Sequence, residues 1–221
     1  MTAVADELAP PPIDEVDLLD YRRRVADLYA EVRRQGPDEA SWKAWRRGRD
    51  HLLGTHPASP FDAAARARGL DVTYYAYDPR LHLGEVEIER AEPITFEIGH
   101  SAQGTTTARR FGTVRFDLEG VACALSVFWL EGYGNGAFLP FRDVTSGDET
   151  YGAGRYLLDT VKSADLGGVG RRVVLDLNFA YHPSCVHDPR WSCPLAPPDN
   201  RLEVAVRGGE RLGAASGTAT A

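Results

Sequence analysis

Residues 180–200, AYHPSCVHDPRWSCPLAPPDN, put His182, Cys185, His187 and Cys193 within twelve positions. Thiolate and imidazole both suit tetrahedral zinc. The intervals of two, one and five intervening residues differ from the paired, loop-separated ligands of structural zinc sites, however, and Pro183, Pro189 and Pro194 limit how so short a segment wraps an ion. No metal is therefore expected. A Cys185–Cys193 disulfide spans seven intervening residues, which is feasible, but a reducing compartment opposes it. An activated thiol would need Arg190, His182 or His187 beside it. The reading favoured by composition is a stiff cover: five prolines between 183 and 198 lower the entropy cost of ordering the segment, and Tyr181, Trp191 and Leu195 supply packing.

A second polar group stands upstream. In FLPFRDVTSGDETYGAGRY (138–156) an apolar run ends abruptly in Arg142, Asp143, Thr145 and Ser146 and continues to Glu149, Arg155 and Tyr156. A strand end presents polar groups reproducibly at a cleft. Arg142 and Arg155 carry planar donor forks suited to carboxylate or phosphate. Asp143 and Glu149 are the candidate general acid and base. Thr145, Arg155, Tyr156, Asp176 and Asn178 complete the expected ligand set with Arg142. Asp176 and Asn178, two apart in VVLDLNF, should share one strand face, and a carboxylate on so apolar a strand needs a partner, for which Arg155 or Arg142 is the natural choice. Glycines 147, 152 and 154 would allow close backbone approach. Neither the G-x-S-x-G elbow nor H-E-x-x-H occurs, and the glycine spacing matches no nucleotide loop, so the cofactor stays unknown.

The elements that must position these groups fall into two halves. Residues 1–12 are polar and Pro-rich and read as a disordered tail. Apolar spacing of three and four predicts a helix from Ile13 to Gly36 and a second over 38–53, with Trp42, Trp45 and Leu52 or Leu53 facing a core. A third short helix is predicted to start at Ser59, with proline at its first position. Residues 13–69 thus form a helical extension packed on a sheet. From 70 to 221 the period becomes two: strands are predicted at 72–77, 83–89, 94–98, 111–118, 121–130, 137–141 and 173–179, with weaker ones at 155–158 and 202–206. Short connections without crossover helices imply antiparallel pairing. The expected fold is mainly β with N-terminal helices, an antiparallel roll or small barrel, the split-barrel form included. VACALSVFWL is apolar on nearly every residue and should be the central strand, with Cys123 a buried hydrophobe.

Composition narrows the function classes. Lys and Arg number 25 against 32 Asp and Glu, a net charge of −7, which disfavours nucleic acid and anionic membrane as partners. No apolar run approaches the ~20 residues needed to span a bilayer. With three cysteines and an acidic start unlike a signal peptide, a cytoplasmic protein is expected.

Three blocks, FLPFRDVTSGDETYGAGRYL, VVLDLNFAYHPSC and CPLAPPDNRLEVAVRGGE, resemble at this spacing the uncharacterised bacterial family catalogued as domain of unknown function 1684, from the second helix to Glu210. In that family asparagine more usually stands at the position of His182 and glutamate at that of Asp199, and the resemblance implies no established substrate. Three functional readings follow. The first is binding, with or without transformation, of a small anionic metabolite. The second is a structural or protein-interaction module, self-associating as a homodimer through an exposed apolar patch near Trp42 or Trp45. The third is a flavin-binding split barrel in which Arg142 and Arg155 meet the phosphate.

Overall fold

The computed structural model describes residues 13–70 and 72–213, and the expectation for residues 1–12 lies outside them. The chain enters through helix α1 (Glu15–Gln35), capped by the Asp14 carboxylate, which accepts from the Val16 and Asp17 amides. Helix α2 (Glu39–Thr55) starts in a reciprocal cap, Asp38 accepting from the Ser41 amide and the Ser41 hydroxyl from the Asp38 amide. The third helix starts later than expected. Ser59 turns its hydroxyl back to the Leu53 carbonyl, and Asp62 caps α3 (Ala63–Arg68) instead.

The β elements are β1 (Val72–Tyr74), β2 (His82–Glu87), β3 (Glu89–Gly99), β4 (Thr105–Leu118), β5 (Val121–Leu130), β6 (Gly136–Phe141), β7 (Arg155–Asp159), β8 (Gly168–Val169), β9 (Arg172–Asp176) and β10 (Glu210–Leu212). All ladders are antiparallel. Strands β3 to β7 form a five-stranded meander in chain order, β2-β9-β8 a second sheet, and β1-β10 a two-stranded ribbon. The sheets do not close on one another, so the fold is a roll and the barrel alternative is set aside.

Strand β5 is the middle strand of the meander, as its composition predicts, because both faces of the sheet are covered. Leu125 and Val127 join Leu139, Phe141, Leu157 and Leu175 in one core. Phe128 and Leu130 join Phe138, Tyr156, Trp42 and Trp45 in the other, where the helices pack. Cys123 is buried in the first core. Trp42 and Trp45 are 3% and 2% exposed, and the Trp42 indole N–H donates to the Asn178 carbonyl. Neither tryptophan is part of an exposed apolar patch.

Two strand expectations fail for local reasons. Residues 202–206 form no strand, and 177–179 turn as a 3-10 helix after β9, with Asp176 as its cap. The cap makes the 176/178 pairing a turn contact and not a shared strand face.

Candidate functional site

Most of the expected ligand set is enclosed. Arg155 is fully buried, and its two Nη atoms donate to the carbonyls of Gly208 (2.5 Å), Glu210 (3.1 Å) and Val206 (2.8 Å) and to Asp143 Oδ1 (3.4 Å). The guanidinium lies over the Phe141 ring, 5.2 Å from its centroid. Burial pulls its pKa down and Asp143 opposes this. Asp143 also accepts from the Thr145 hydroxyl (2.8 Å) and the Val206 amide (2.7 Å), while Thr145 meets the Thr150 hydroxyl at 3.0 Å. This knot ties the end of β6 to residues 206–210 and lines no hollow. Gly154 serves the same closure: at φ +101 its backbone approaches the Phe141 carbonyl so tightly that a Cβ would sit 2.5 Å from that oxygen.

The remaining candidates separate. Glu149 is at the surface, bonded to Arg207 (2.6 Å) and to the Tyr75 hydroxyl (3.0 Å), and the Arg207 bonds hold its pKa below the ordinary value. It shares no cavity with Asp143, so the expected acid and base do not face one substrate. Asp176 pairs with neither arginine. Its partners are Asn178 (2.8 Å to the side-chain amide), His82 Nδ1 (3.1 Å) and the Tyr77 hydroxyl (3.4 Å). Asn178 clamps Asp78 by two hydrogen bonds of 2.9 Å. Arg142 is half-buried, its backbone bridged to Asn200 and Leu202. The arginine pair that a flavin phosphate would meet is therefore not presented, since Arg155 is sealed in.

Tyr156 alone of the expected set borders a cavity. That hollow, of about 70 Å³, lies where α1 and α2 meet residues 156–164 and 181–191, and apolar groups such as Leu18, Val25 and Leu53 make up much of its wall. Arg49 is the cation of its wall that is paired with Glu210. The Arg49 Nε donates to Glu210 Oε1 at 2.5 Å, and the guanidinium packs over the rings of Tyr181 (5.0 Å) and Trp45 (5.8 Å). This is the one hydrogen bond the guanidinium makes among the described residues, so both Nη groups are left without a protein acceptor at the cavity. Burial works against the Arg49 charge, but Glu210 more than restores it and its pKa lies above the usual arginine value. Burial likewise raises Glu210, and Arg49 outweighs this, so the carboxyl stays below its ordinary range.

His182 completes the arrangement. Its amide donates to Glu210 Oε2 at 2.7 Å, and its Nε2 accepts from the Tyr151 amide at 3.3 Å, which assigns the ring proton to Nδ1 on the side facing Glu210. Burial lowers its pKa to about 3, and the ring is neutral at pH 7. Gly209, at φ +75, brings the chain so close to the Ala180 carbonyl that Glu210 enters beneath the helices. Tyr29 presents a buried phenol to the same cavity, while Lys162 and Arg22 add positive charge at its wall. A second hollow of about 420 Å³, bordered by Arg68 and Arg211, shares His182 and His187 with the first.

Arg49 and Glu210 were not among the sequence candidates. A signal for Arg49 does exist: it lies on the stripe Trp42, Trp45, Arg49, Leu52, a cation on the apolar face of α2. Glu210 is 161 residues away and has no comparable local mark.

The cysteines are free. Among the described residues no three His, Cys, Asp or Glu side chains are grouped to hold a metal. The 181–196 segment is fastened as a cover over the end of β3: Ser101 N–H donates to the Cys193 carbonyl (2.9 Å), Leu195 N–H to Gly99 (2.9 Å), and the Tyr156 hydroxyl to Pro194.

A family model described as a protein of unknown function, DUF1684, matches residues 70–211. The match begins after the helices, later than the resemblance in the sequence suggested. An uncharacterised protein of Haloarcula marismortui, solved by solution NMR, is similar at 30% identity with a TM-score of 0.53, the alignment covering 78% of this chain and 93% of that one. No curated protein sequence matches the chain. No helix among the described residues is long and apolar enough to cross a membrane.

Proposed function

Because the chain belongs to the DUF1684 family, whose description assigns no activity, we propose from the site itself that the protein binds a small anionic metabolite in the cavity beside Arg49. The observation that carries this reading is the half-used guanidinium. Its Nε is committed to Glu210, its two Nη groups have no acceptor among the described residues, and it borders a hollow. A carboxylate or phosphate oxygen pair is the acceptor that such an edge matches. Arg49, Lys162 and Arg22 line the cavity, against the carboxylates of Glu210 and Asp159 and a neutral His182. The volume holds roughly five or six non-hydrogen atoms, on a scale of ~10–15 Å³ per water-sized group. That suits an anionic head, with an apolar body against Leu18, Val25 and Leu53 toward the mouth.

The reading stops at binding. Asp143 has no route to this cavity and Glu149 is engaged on the surface. Glu210 is the acid beside Arg49, and its role is to orient the guanidinium and hold the His182 amide.

Thermal denaturation in the presence of benzoate, hexanoate or inorganic phosphate tests the proposal. A bound anion raises the melting temperature with concentration by mass action. The double variant Arg49→Gln/Glu210→Gln, which removes both charges and leaves neither unpaired, should melt cooperatively and lose the response. Equal shifts in wild type and double variant would contradict it.

A further inference from the structure

Strand β3 is an outer strand of the meander and pairs on one side only, with β4. From Ile94 to Gly99 that pairing is regular, so successive peptide groups alternate between β4 and the open edge. Three hydrogen bonds fix which residues point where. The His100 amide donates inward to the Gly104 carbonyl (3.1 Å), whereas on the outer side the Gly99 carbonyl accepts from Leu195 (2.9 Å) and the Ser101 amide donates to Cys193 (2.9 Å). Odd-numbered residues of β3 therefore turn their N–H and C=O groups outward. The edge is stopped at both ends. At one, the cover segment runs antiparallel along it, bridging Pro194 to His100. At the other, the ladder slips between Arg90 and Ile94, and Pro93 has no N–H to offer. Between these stops Thr95 and Glu97 are exposed, and their outward backbone groups meet no donor or acceptor among the described residues.

We propose that this window, Ile94-Thr-Phe-Glu-Ile98, pairs antiparallel with the same window of a second copy about a two-fold axis at Phe96, joining two meanders into one sheet. In this register Thr95 meets Glu97 of the second copy and Glu97 meets its Thr95, each pair exchanging N–H and C=O in both directions. The facing carboxylate can accept from the Thr95 hydroxyl while keeping its bond from Thr107 (2.6 Å), so no like charges oppose one another. On the other face Ile94 meets Ile98 and Phe96 meets its counterpart, so Ile94, 47% exposed, gains apolar cover. Beyond Gly99, where the cover segment lies, the second copy presents residues 91–93, which make no ladder pairs of their own. Other registers lose these matches. A slide of two residues one way opposes Glu97 to Glu97 and sets Thr95 against Gly99, whose carbonyl Leu195 already holds. The opposite slide sets Glu97 against Pro93, and a slip of one residue opposes outward groups to inward ones. A five-residue edge buries less than the roughly 1,200 Å² of a stable interface, so the dimer forms at about millimolar protein. The pairing leaves the Arg49 cavity untouched.

The test uses the full chain, labelled with nitrogen-15, at a dilute and a near-millimolar concentration. Sedimentation should show the mass rising from one chain toward two as concentration increases. Over the same range the Thr95 and Glu97 amides should exchange with solvent at least about fivefold more slowly, whereas the Phe96 and Ile98 amides, bonded to β4, should be protected at both concentrations alike. Thr95→Pro removes one outward N–H at an edge position that tolerates proline, and should stay monomeric at the higher concentration with its melting temperature near that of the wild type. The wild-type exchange pattern carries the test if that variant folds poorly. A chain that stays monomeric at about millimolar protein, or a dimer whose Thr95 and Glu97 amides exchange as they do in the monomer, would overturn the proposal, as would a folded Thr95→Pro that dimerises like the wild type.

Discussion

Arg155, fully buried, and Arg49, with 12% of its side chain exposed, are both bonded to a carboxylate, yet their surroundings differ in what they leave over. Arg155 gives its Nη groups to three carbonyls and Asp143 inside solid protein. Arg49 gives one N–H to Glu210, makes no other hydrogen bond among the described residues, and lines a hollow. A guanidinium carries five donors in a fixed plane, so counting the acceptors around it separates a clamp from a binding group more sharply than its burial or its charge partner does. The strand-end block that looks most like a site in the sequence is the clamp. The helix face that reads as plain core packing carries the available group.

The widest gap between the two should appear in stability. Arg155→Met leaves Asp143 charged and buried and three carbonyls short of a donor, and should lower unfolding free energy by about 3–5 kcal/mol, read from the urea midpoint. A cost below about 1 kcal/mol would mean that the clamp is not what ties β6 to residues 206–210.

Acid sharpens the account of the Arg49 side. The folded-state pKa of His182 is depressed from 6.5 to about 3, so the unfolded chain binds the extra proton first and stability falls as pH drops below 6.5. Glu210 is also depressed, from 4.5, and its contribution is lost only below that value. Between pH 6.5 and pH 4.5 the wild type should therefore lose about 2–3 kcal/mol through His182, at ~1.4 kcal/mol per pH unit. His182→Asn, whose amide can still accept from Tyr151, should flatten that limb in urea titrations across the interval. An unchanged slope would place the acid sensitivity elsewhere.

A smaller effect is expected from Arg49→Gln/Glu210→Gln. Removing both charges together avoids a stranded ion, so stability should change by no more than about 1–2 kcal/mol, while anion affinity falls at least about tenfold by titration calorimetry. A large loss of stability with affinity retained would invert the comparison. The least consequence is predicted for Glu149→Gln. Its Arg207 partner is 62% exposed, and breaking such a surface pair costs less than about 1 kcal/mol and should leave anion-dependent melting shifts intact.

Period and capping chemistry made much of the scaffold legible. Helices α1 and α2, the central place of VACALSVFWL and the antiparallel pairing all follow from side-chain spacing and short turns. Short-range competition hid other parts. Asp62 outcompetes Ser59 as a cap, and Asp176 caps a 3-10 turn where VVLDLNF reads as continuous strand. The site itself was half visible. Tyr156 was found because it sits in the strand-end block, but Arg49 and Glu210 meet only when the last ribbon, β1-β10, is laid beneath α2. Nothing in local spacing reports a contact made by topology. The signal that could have been used is energetic: an arginine on an apolar helical stripe must find an anion somewhere.

The central claim is tested most directly at the Arg49 guanidinium by nitrogen-15 NMR of its side chain during titration with benzoate. The Arg49 Nη resonances should shift and their proton exchange slow as benzoate is added, with the Arg155 signals unmoved. Saturating benzoate that leaves Arg49 unperturbed while shifting only exposed arginines such as Arg80 and Arg207 would contradict it.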